Sequence, residues 1–185
     1  SEPGFLRHTG SVQCRRTAHE RRIWIPDILF KILDEEQPQY LAVAFDLHAP
    51  TFRHKMYDQY KGTRKPMPQE LREQVPVIQE VLAAMDIEIV TKEGYEADDI
   101  LGTLGRKCEA EGMEVTIVSG DRDLLQLATD HVRIRIPKTK RTGTEIEDYL
   151  AADVKERYQV TPKEFIDVKA DGGYGRQYSG STGNR

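Results

Sequence analysis

The chain has 185 residues, with 27 Lys and Arg against 31 Asp and Glu, 38% hydrophobic residues and two cysteines. A formal charge of −4 excludes a uniformly basic, histone-like nucleic-acid binder but allows a local basic surface. No run approaches the roughly 20 apolar residues of a membrane span and the start lacks a signal-peptide pattern, so we expect no membrane partner. The two cysteines are too few and too separated for a disulfide framework, so we expect a cytoplasmic protein.

The hydrophobic pattern between residues 28 and 169 predicts strands that alternate with helices. Apolar residues recur at helical spacing from Ile28 to Leu33, and Leu41 to Phe45 is a short apolar run of the buried-strand type. The elements expected after these are a helix over 68–85, a strand over 87–90, a helix over 97–111, a strand over 114–118, a short helix over 121–129, a strand over 132–136, and helices over 151–158 and 162–168. This order predicts an α/β fold with a largely parallel central sheet flanked by helices.

The two ends of the chain differ in composition from its middle. Residues 1–24 contain five arginines and no apolar periodicity, and residues 171–185 contain five glycines and no aliphatic side chain. Such segments bury too little apolar surface to offset the entropy of ordering them. We therefore expect irregular segments at 1–27 and 170–185 around a folded domain at 28–169.

Acidic residues gather after the predicted strands. Asp46 ends the first strand, and Asp121 and Asp123 follow the strand that ends at Val118. The remaining acids open the helix at residue 97 and are Glu96, Asp98 and Asp99. Each acid taken singly could be a helix cap. Because parallel strands end at one edge of a sheet, we expect the six to converge there.

Six carboxylates close together repel one another and raise each other's pKa unless cations share their site. Oxygen ligands without Cys or His favour Mg²⁺ or Mn²⁺ over zinc. Two such ions, about 3.5–4 Å apart, typically hold the attacking and leaving oxygens in phosphodiester hydrolysis. The pattern therefore predicts a hydrolase of phosphodiesters that uses two divalent ions.

The segment from Phe52 to Arg72 reverses the local charge balance. Its basic residues are Arg53, Lys55, Lys61, Arg64, Lys65 and Arg72, and its interleaved rings are Phe52, His54, Tyr57 and Tyr60. Cations suit phosphates and rings suit unpaired bases, so the segment predicts binding to single-stranded nucleic acid. A solvated helix face is the alternative for the segment, and a surface or packing role is the alternative for His54.

Five motifs, by their order and spacing, resemble the 5′ nuclease domain family of bacterial DNA polymerase I, the flap-endonuclease branch of the PIN-like nucleases. They are Ala44-Phe-Asp46, Pro50-Thr-Phe-Arg-His54, Tyr60-Lys-Gly62, Gly94-Tyr-Glu-Ala-Asp-Asp99 and Ser119-Gly-Asp-Arg-Asp-Leu124-Leu-Gln-Leu. The resemblance covers about residues 20–170. It implies a PIN-like fold with a basic helical arch, and a monomeric 5′-3′ exonuclease and flap endonuclease of DNA replication and repair.

The same resemblance implies roles for individual residues. The six acids would be metal ligands, and Lys61 and Arg64 would be catalytic, with Lys61 facing the scissile phosphate. The residues that bind the strand would be Phe52, Arg53, His54, Tyr60, Lys61, Arg64 and Lys65. The substrates would be DNA with a 5′ flap or a single-stranded 5′ end, and RNA primers, in the bacterial cytoplasm at the nucleoid.

The family pattern is incomplete at both ends of this sequence. It begins with a strand ending in Asp-Gly-Asn, which nothing in residues 1–27 resembles, and its later acid pair and glycine-rich hairpin are absent after Lys169. Back-translated codons read one base later permit Asn-Ala-Val-Tyr-Gly from Glu20 to Trp24, and Leu-Met-Gly-Asp-Thr-Ala-Asp-Asn from Ala170 onward. We therefore expect out-of-frame ends, a missing first strand and little turnover, with natural divergent tails as the alternative.

Two other functions are compatible with parts of the pattern. A magnesium-dependent phosphatase of small esters would explain the acids but not the basic segment. A DNA-binding remnant that does not cleave would explain both, and metal-dependent cleavage separates it from a nuclease.

Overall fold

The computed structural model describes residues 25–47, 49–57, 59–62, 67–140 and 143–170. The predicted site residues Arg64 and Lys65 lie outside the described residues, as do residues 1–24 and 171–185. The predictions of out-of-frame ends and a missing first strand concern those ends, and they stay predictions.

Helices and strands alternate along the described chain. The α-helices are α1 (Ile25–Glu36), α2 (Phe52–Met56), α3 (Gln69–Ala84), α4 (Ala97–Ala110), α5 (Ala151–Tyr158) and α6 (Phe165–Ala170). The strands are β1 (Ala42–Ala44), β2 (Glu88–Val90), β3 (Val115–Val118), β4 (Val132–Lys140) and β5 (Gly143–Tyr149), and a 3₁₀ helix spans Arg122–Leu127. Every element predicted from periodicity is present, α5 with the predicted ends and the others with shifted ends, whereas α2 and β5 are additional. Of the predicted helical arch, the described part contains one short helix, α2.

The described strands form two small sheets where one was expected. β1 and β2 pair in parallel, with Val43 opposite Ile89. β3 and β4 pair in parallel, and β4 continues into an antiparallel pairing with β5. Within the described ranges, β1 therefore pairs only with β2, and β3 only with β4. The α/β class is confirmed, and two of its three strand pairings are parallel.

The β4–β5 pairing explains why β5 escaped the sequence pattern. β5 is rich in Glu and Asp, which have low strand propensity, and Tyr149 is its buried anchor. Pro137 in β4 lies opposite Ile146, beyond the residues of β4 that pair with β3. Its missing N–H therefore removes no hydrogen bond to β3.

Each sheet has its own apolar core. Leu29, Ile78 and Leu82, from α1 and α3, pack against the β1–β2 side. The larger core surrounds β3 and β4, where Leu125, Ile134 and other side chains are fully buried. This division follows from helical apolar stripes that each cover one sheet face. No helix in the described part of the chain has the length and apolar character to cross a bilayer.

Helix α4 contacts both sheets, and this contact positions the candidate site. It packs on β1 and on β3. A Cβ on Gly105 would lie 3.1 Å from the Cδ1 atom of Ile117 in β3, so glycine permits the close approach. The start of α4 is thereby brought beside Asp46 at the end of β1.

A buried arginine also joins the two sheets. The guanidinium of Arg135 in β4 is 8% exposed and lies 2.9 Å from Glu35, 2.7 Å from Glu36 and 2.8 Å from Asp148. The two glutamates belong to the last turn of α1. Because a buried guanidinium needs carboxylate partners, this network ties α1 to the β4–β5 hairpin.

Candidate active site

A cleft of about 450 Å³ brings most of the predicted site residues together. Eight of them line it: Arg53, Tyr60, Lys61, Glu96, Asp98, Asp99, Asp121 and Asp123. Asp46 lies next to this set, because its Oδ1 atom accepts a 2.6 Å hydrogen bond from the N–H of Ala97. The structure thus gathers the three groups of acids that are far apart in the sequence.

Several of these acids also cap helices, as their positions allow. Glu96 is the N-cap of α4, and its N–H donates to the Oδ2 atom of Asp99 at 3.0 Å. Asp121 caps the 3₁₀ helix by accepting from the N–H of Asp123 at 2.9 Å. Capping fixes these carboxylates at helix starts, where the macrodipole favours negative charge. It accounts for the places of the acids but not for their convergence.

Asp98 carries the electrostatic signature of the cleft. Its pKa is raised, first by burial and then by the negative charges of Asp121, Asp46 and Glu96. A carboxyl group in such surroundings favours a cation or a proton beside it. The acids therefore form a negative centre around Asp98.

Basic side chains hold two of the acids. Arg53 donates to both oxygens of Asp99, and both nitrogen–oxygen distances are 2.7 Å. Lys61 Nζ lies 2.7 Å from Glu96 Oε1, and the Tyr60 hydroxyl donates to Glu96 Oε2 at 3.3 Å. Arg53 also approaches Glu96 at 3.8 Å. These contacts lay the basic segment directly against the start of α4.

Lys61 adopts an unusual backbone conformation at this contact. Its φ angle is 56°, in the left-handed region that side chains other than glycine seldom occupy. Such conformations persist where surrounding contacts determine them, often at functional sites. The turn delivers the ammonium group of Lys61 to Glu96.

Phe52 and His54 do not line the cleft. They hold the basic segment in place through contacts with neighbouring residues. The N–H of Phe52 donates to the carbonyl of Gly94 at 2.9 Å, and its ring lies 5.5 Å from that of Tyr95. His54 Nδ1 is 2.9 Å from Thr51 Oγ1, and its ring meets the edge of Tyr60 at 5.2 Å. These contacts correspond to the packing alternative for His54.

The donor set suits a hard divalent cation by its chemistry. Three other carboxylates act on Asp98, with Lys61 as a weaker positive influence, and the repulsion among the carboxylates is the condition that a cation relieves. Yet within residues 25–170, apart from the undescribed gaps, no three His, Cys, Asp or Glu side chains are arranged to hold a metal ion. Basic side chains already occupy oxygens of two of the six acids, Glu96 and Asp99.

Three polar residues to which the sequence analysis gave no role also line the cleft: Thr103, Arg106 and Gln126. Thr103 and Arg106 follow Asp99 by four and seven residues, so they share one face of α4. That helical spacing is the signal that could have identified them. Gln126 follows Asp123 in the 3₁₀ helix and donates to its carbonyl at 2.8 Å.

The amino-acid sequence matches a protein-family model and several curated bacterial proteins. The family model described as "5'-3' exonuclease, N-terminal resolvase-like domain" matches residues 22–159. Over 142 residues the chain is 49% identical to DNA polymerase I of Bacillus caldotenax and 47% identical to that of Bacillus subtilis strain 168. Each match covers 77% of this chain and 16% of the polymerase, so the chain spans about one sixth of the relatives that it matches.

Solved structures show the same fold. A bacteriophage T5 5'-exonuclease with bound zinc matches with a TM-score of 0.61 and 21% identity, over 81% of this chain and 58% of that one. The bacteriophage T5 flap endonuclease in complex with DNA and metal ions matches with a TM-score of 0.61 and 20% identity, over 82% and 59% of the two chains. These likenesses confirm the predicted PIN-like nuclease fold.

Proposed function

This chain belongs to the 5'-3' exonuclease, N-terminal resolvase-like domain family, and we propose that it hydrolyses phosphodiester bonds in DNA from a 5′ end or at a 5′ flap. The observation that carries the proposal is the cleft itself. It combines carboxylates crowded around Asp98 with the cations Arg53 and Lys61. A negative centre beside positive side chains suits a phosphate substrate that reacts with the help of divalent ions.

We propose that Mg²⁺ or Mn²⁺, as two ions, is the cofactor of this cleft. Asp98 would bind it together with Asp46, Asp121 and Asp123, and Glu96 would join them once Lys61 and Tyr60 release its oxygens. When bound, such ions supply Lewis-acid stabilisation of the charge that develops on the phosphoryl oxygens. The metal ions in the related phage structures support this proposal.

Asp99 fits a different role from the other acids. Arg53 and the N–H of Glu96 already donate to its two oxygens. These donors favour the charged form and hold the carboxylate away from a further ligand. We propose that Asp99 positions Arg53 and the start of α4.

The basic segment would hold the substrate strand. Lys61 lies beside Glu96, where it could contact a phosphate bound near the acids. Lys61 and Arg64 are the proposed catalytic cations. Tyr60 and Phe52 offer rings for unpaired bases, and Arg53, His54 and Lys65 would complete the strand-binding set. The proposed substrates are DNA with a 5′ flap or a single-stranded 5′ end, and RNA primers.

We further propose that the chain acts as a monomer in the bacterial cytoplasm, at the nucleoid. The support is the identity of its relatives, which are bacterial DNA polymerases. A replication or repair role follows from the same relatives.

A labelled 5′-flap duplex tests the proposal. Incubation with Mg²⁺ or Mn²⁺ is expected to release the flap at a low rate, as the incomplete family pattern predicts, and chelation with EDTA is expected to stop the release. Asp98→Asn should abolish cleavage, while Asp34→Asn, at an exposed position of α1 outside the cleft, serves as the matched control. Hydrolysis of p-nitrophenyl phosphate without flap cleavage would instead identify a small-ester phosphatase.

One observation favours a second candidate, a DNA-binding domain that does not cleave. Lys61 and Arg53 hold Glu96 and Asp99, and the described residues offer no arranged three-ligand group. Salt-dependent flap binding without any metal-dependent cleavage would establish this function in place of the nuclease.

A further inference from the structure

Arg106 differs from the other basic residues of the cleft in its partners. Arg53 and Lys61 are ion-paired with Asp99 and Glu96. Arg106 lines the same cleft and is exposed, but it has no hydrogen bond or ion pair to any described residue. Among the described residues, no carboxylate therefore offsets the charge of this cleft cation.

The position of Arg106 sets its distance from the acids. It follows Asp99 by seven residues on α4, which is about 10 Å along a helix that rises about 1.5 Å per residue. Thr103 lies between them on the same face. The cleft therefore extends along α4 from its carboxylates to this guanidinium.

The cleft residues between the acids and Arg106 are uncharged. Gly102, Thr103, Gln126 and Leu127 line this stretch. A Cβ on Gly102 would lie 3.5 Å from the side chain of Leu127, so α4 and the 3₁₀ helix approach closely here. A polymer chain leaving the acids along this groove meets no carboxylate on these four residues before it reaches Arg106.

We propose that Arg106 binds a backbone phosphate of the substrate strand, about three nucleotides from the reacting one at about 3.4 Å per nucleotide. The inference rests on the proposed function and extends it to a residue outside the basic segment. A nucleic acid is repelled by the acids at the start of α4, and a guanidinium further along the groove offsets that repulsion. Arginine suits this role because its planar fork donates two parallel hydrogen bonds to a phosphate.

The test is the salt dependence of binding to a fluorescent 5′-flap DNA, measured by anisotropy in EDTA so that no cleavage intervenes. Arg106→Gln should weaken binding about threefold to tenfold and lower the slope of log affinity against log salt by about 0.7–0.9, the value for one phosphate contact. Arg106→Lys should keep the slope, because it retains the charge.

Lys107→Gln is the matched control. Lys107 is the next residue of α4, is exposed and does not line the cleft, and its replacement removes the same charge. Equal effects of Arg106→Gln and Lys107→Gln would overturn the inference and identify Arg106 as a solvated surface residue. Absence of both flap binding in EDTA and flap cleavage in Mg²⁺ by the unmodified chain would overturn the proposed function as well, so the two failures are distinguishable.

Discussion

Arg53 and Asp99 form a bidentate ion pair across 46 residues of sequence, with both nitrogen–oxygen distances at 2.7 Å. Hydrogen bonds from Arg53 are the main cause that lowers the pKa of Asp99. The Oδ2 atom of Asp99 also accepts from the N–H of Glu96. One carboxylate thus joins α2 to the first turn of α4 and holds the basic segment beside the acids.

Arg53→Lys tests the structural value of this pair. Lysine keeps the charge but cannot donate in the parallel two-bond geometry, so we expect the free energy of unfolding to fall by about 1 kcal/mol. Urea denaturation in EDTA measures the change. Lys55→Gln, an exposed change in the same helix, should leave the midpoint unaltered. An Arg53→Lys midpoint equal to that of the unmodified chain would contradict the prediction.

Asp98→Asn should change stability and metal affinity in opposite directions. The raised pKa of Asp98 means that its charged form is disfavoured in the folded state. The charged carboxylate therefore lowers the free energy of unfolding of the wild-type chain. This loss is complete above the raised pKa and disappears as pH falls from that value to the ordinary carboxyl pKa of about 3.9. We expect the metal-free variant to unfold at a higher temperature at pH 7, with the difference from wild type shrinking toward low pH.

Isothermal titration with Mn²⁺ supplies the other half of that test. Loss of a ligand should weaken the affinity of Asp98→Asn at least about tenfold, a change of about 1.4 kcal/mol or more. Asp34→Asn should match the unmodified chain in both measurements. If Asp98→Asn gains stability but binds Mn²⁺ with the affinity of the unmodified chain, Asp98 is not a metal ligand.

Replacement of the buried Arg135 should lower the free energy of unfolding far more than replacement of Arg133 on the same strand. Arg135→Ala leaves Glu35, Glu36 and Asp148 without their shared partner, so we expect a loss of about 3 kcal/mol. The Arg133 side chain is 37% exposed, forms its ion pair with Glu36 and donates a hydrogen bond to Thr116, so Arg133→Ala should lose about 1 kcal/mol or less. Equal losses in denaturant unfolding would show that Arg135 does not join the sheets.

His131 and Glu114 provide a pH-dependent contact at the starts of β3 and β4. Glu114 lies 2.7 Å from His131 Nδ1, and their hydrogen bond is the main cause that raises the pKa of the imidazole. The contact stabilises the fold below the unfolded pKa of about 6.5 and is lost as pH rises through the raised value.

An NMR titration of His131 measures this effect directly. Glu114→Gln should move the midpoint down toward the ordinary histidine value. An unchanged midpoint would show that the side chains do not meet in solution.

The order of helices and strands, and the positions of Asp46, Glu96 and Asp121 at their ends, followed from the sequence alone. Apolar periodicity is a local property, because it records which side of each element is buried. Rules for parallel strands then predicted that the acids converge, although they follow strands of two sheets and not of one, and the motif order indicated the family. These predictions needed no knowledge of particular contacts.

The tertiary structure decided what each charged residue binds. No local pattern distinguishes Asp99, which is held by Arg53, from its neighbour Asp98, which faces other acids. The division into two sheets, the pairing of acidic β5 with β4, and the partners of Arg135 about 100 residues away depend likewise on long-range packing. Each charged residue pairs with the groups that folding brings next to it in space. The spacing of residues along the sequence does not specify which distant groups those are.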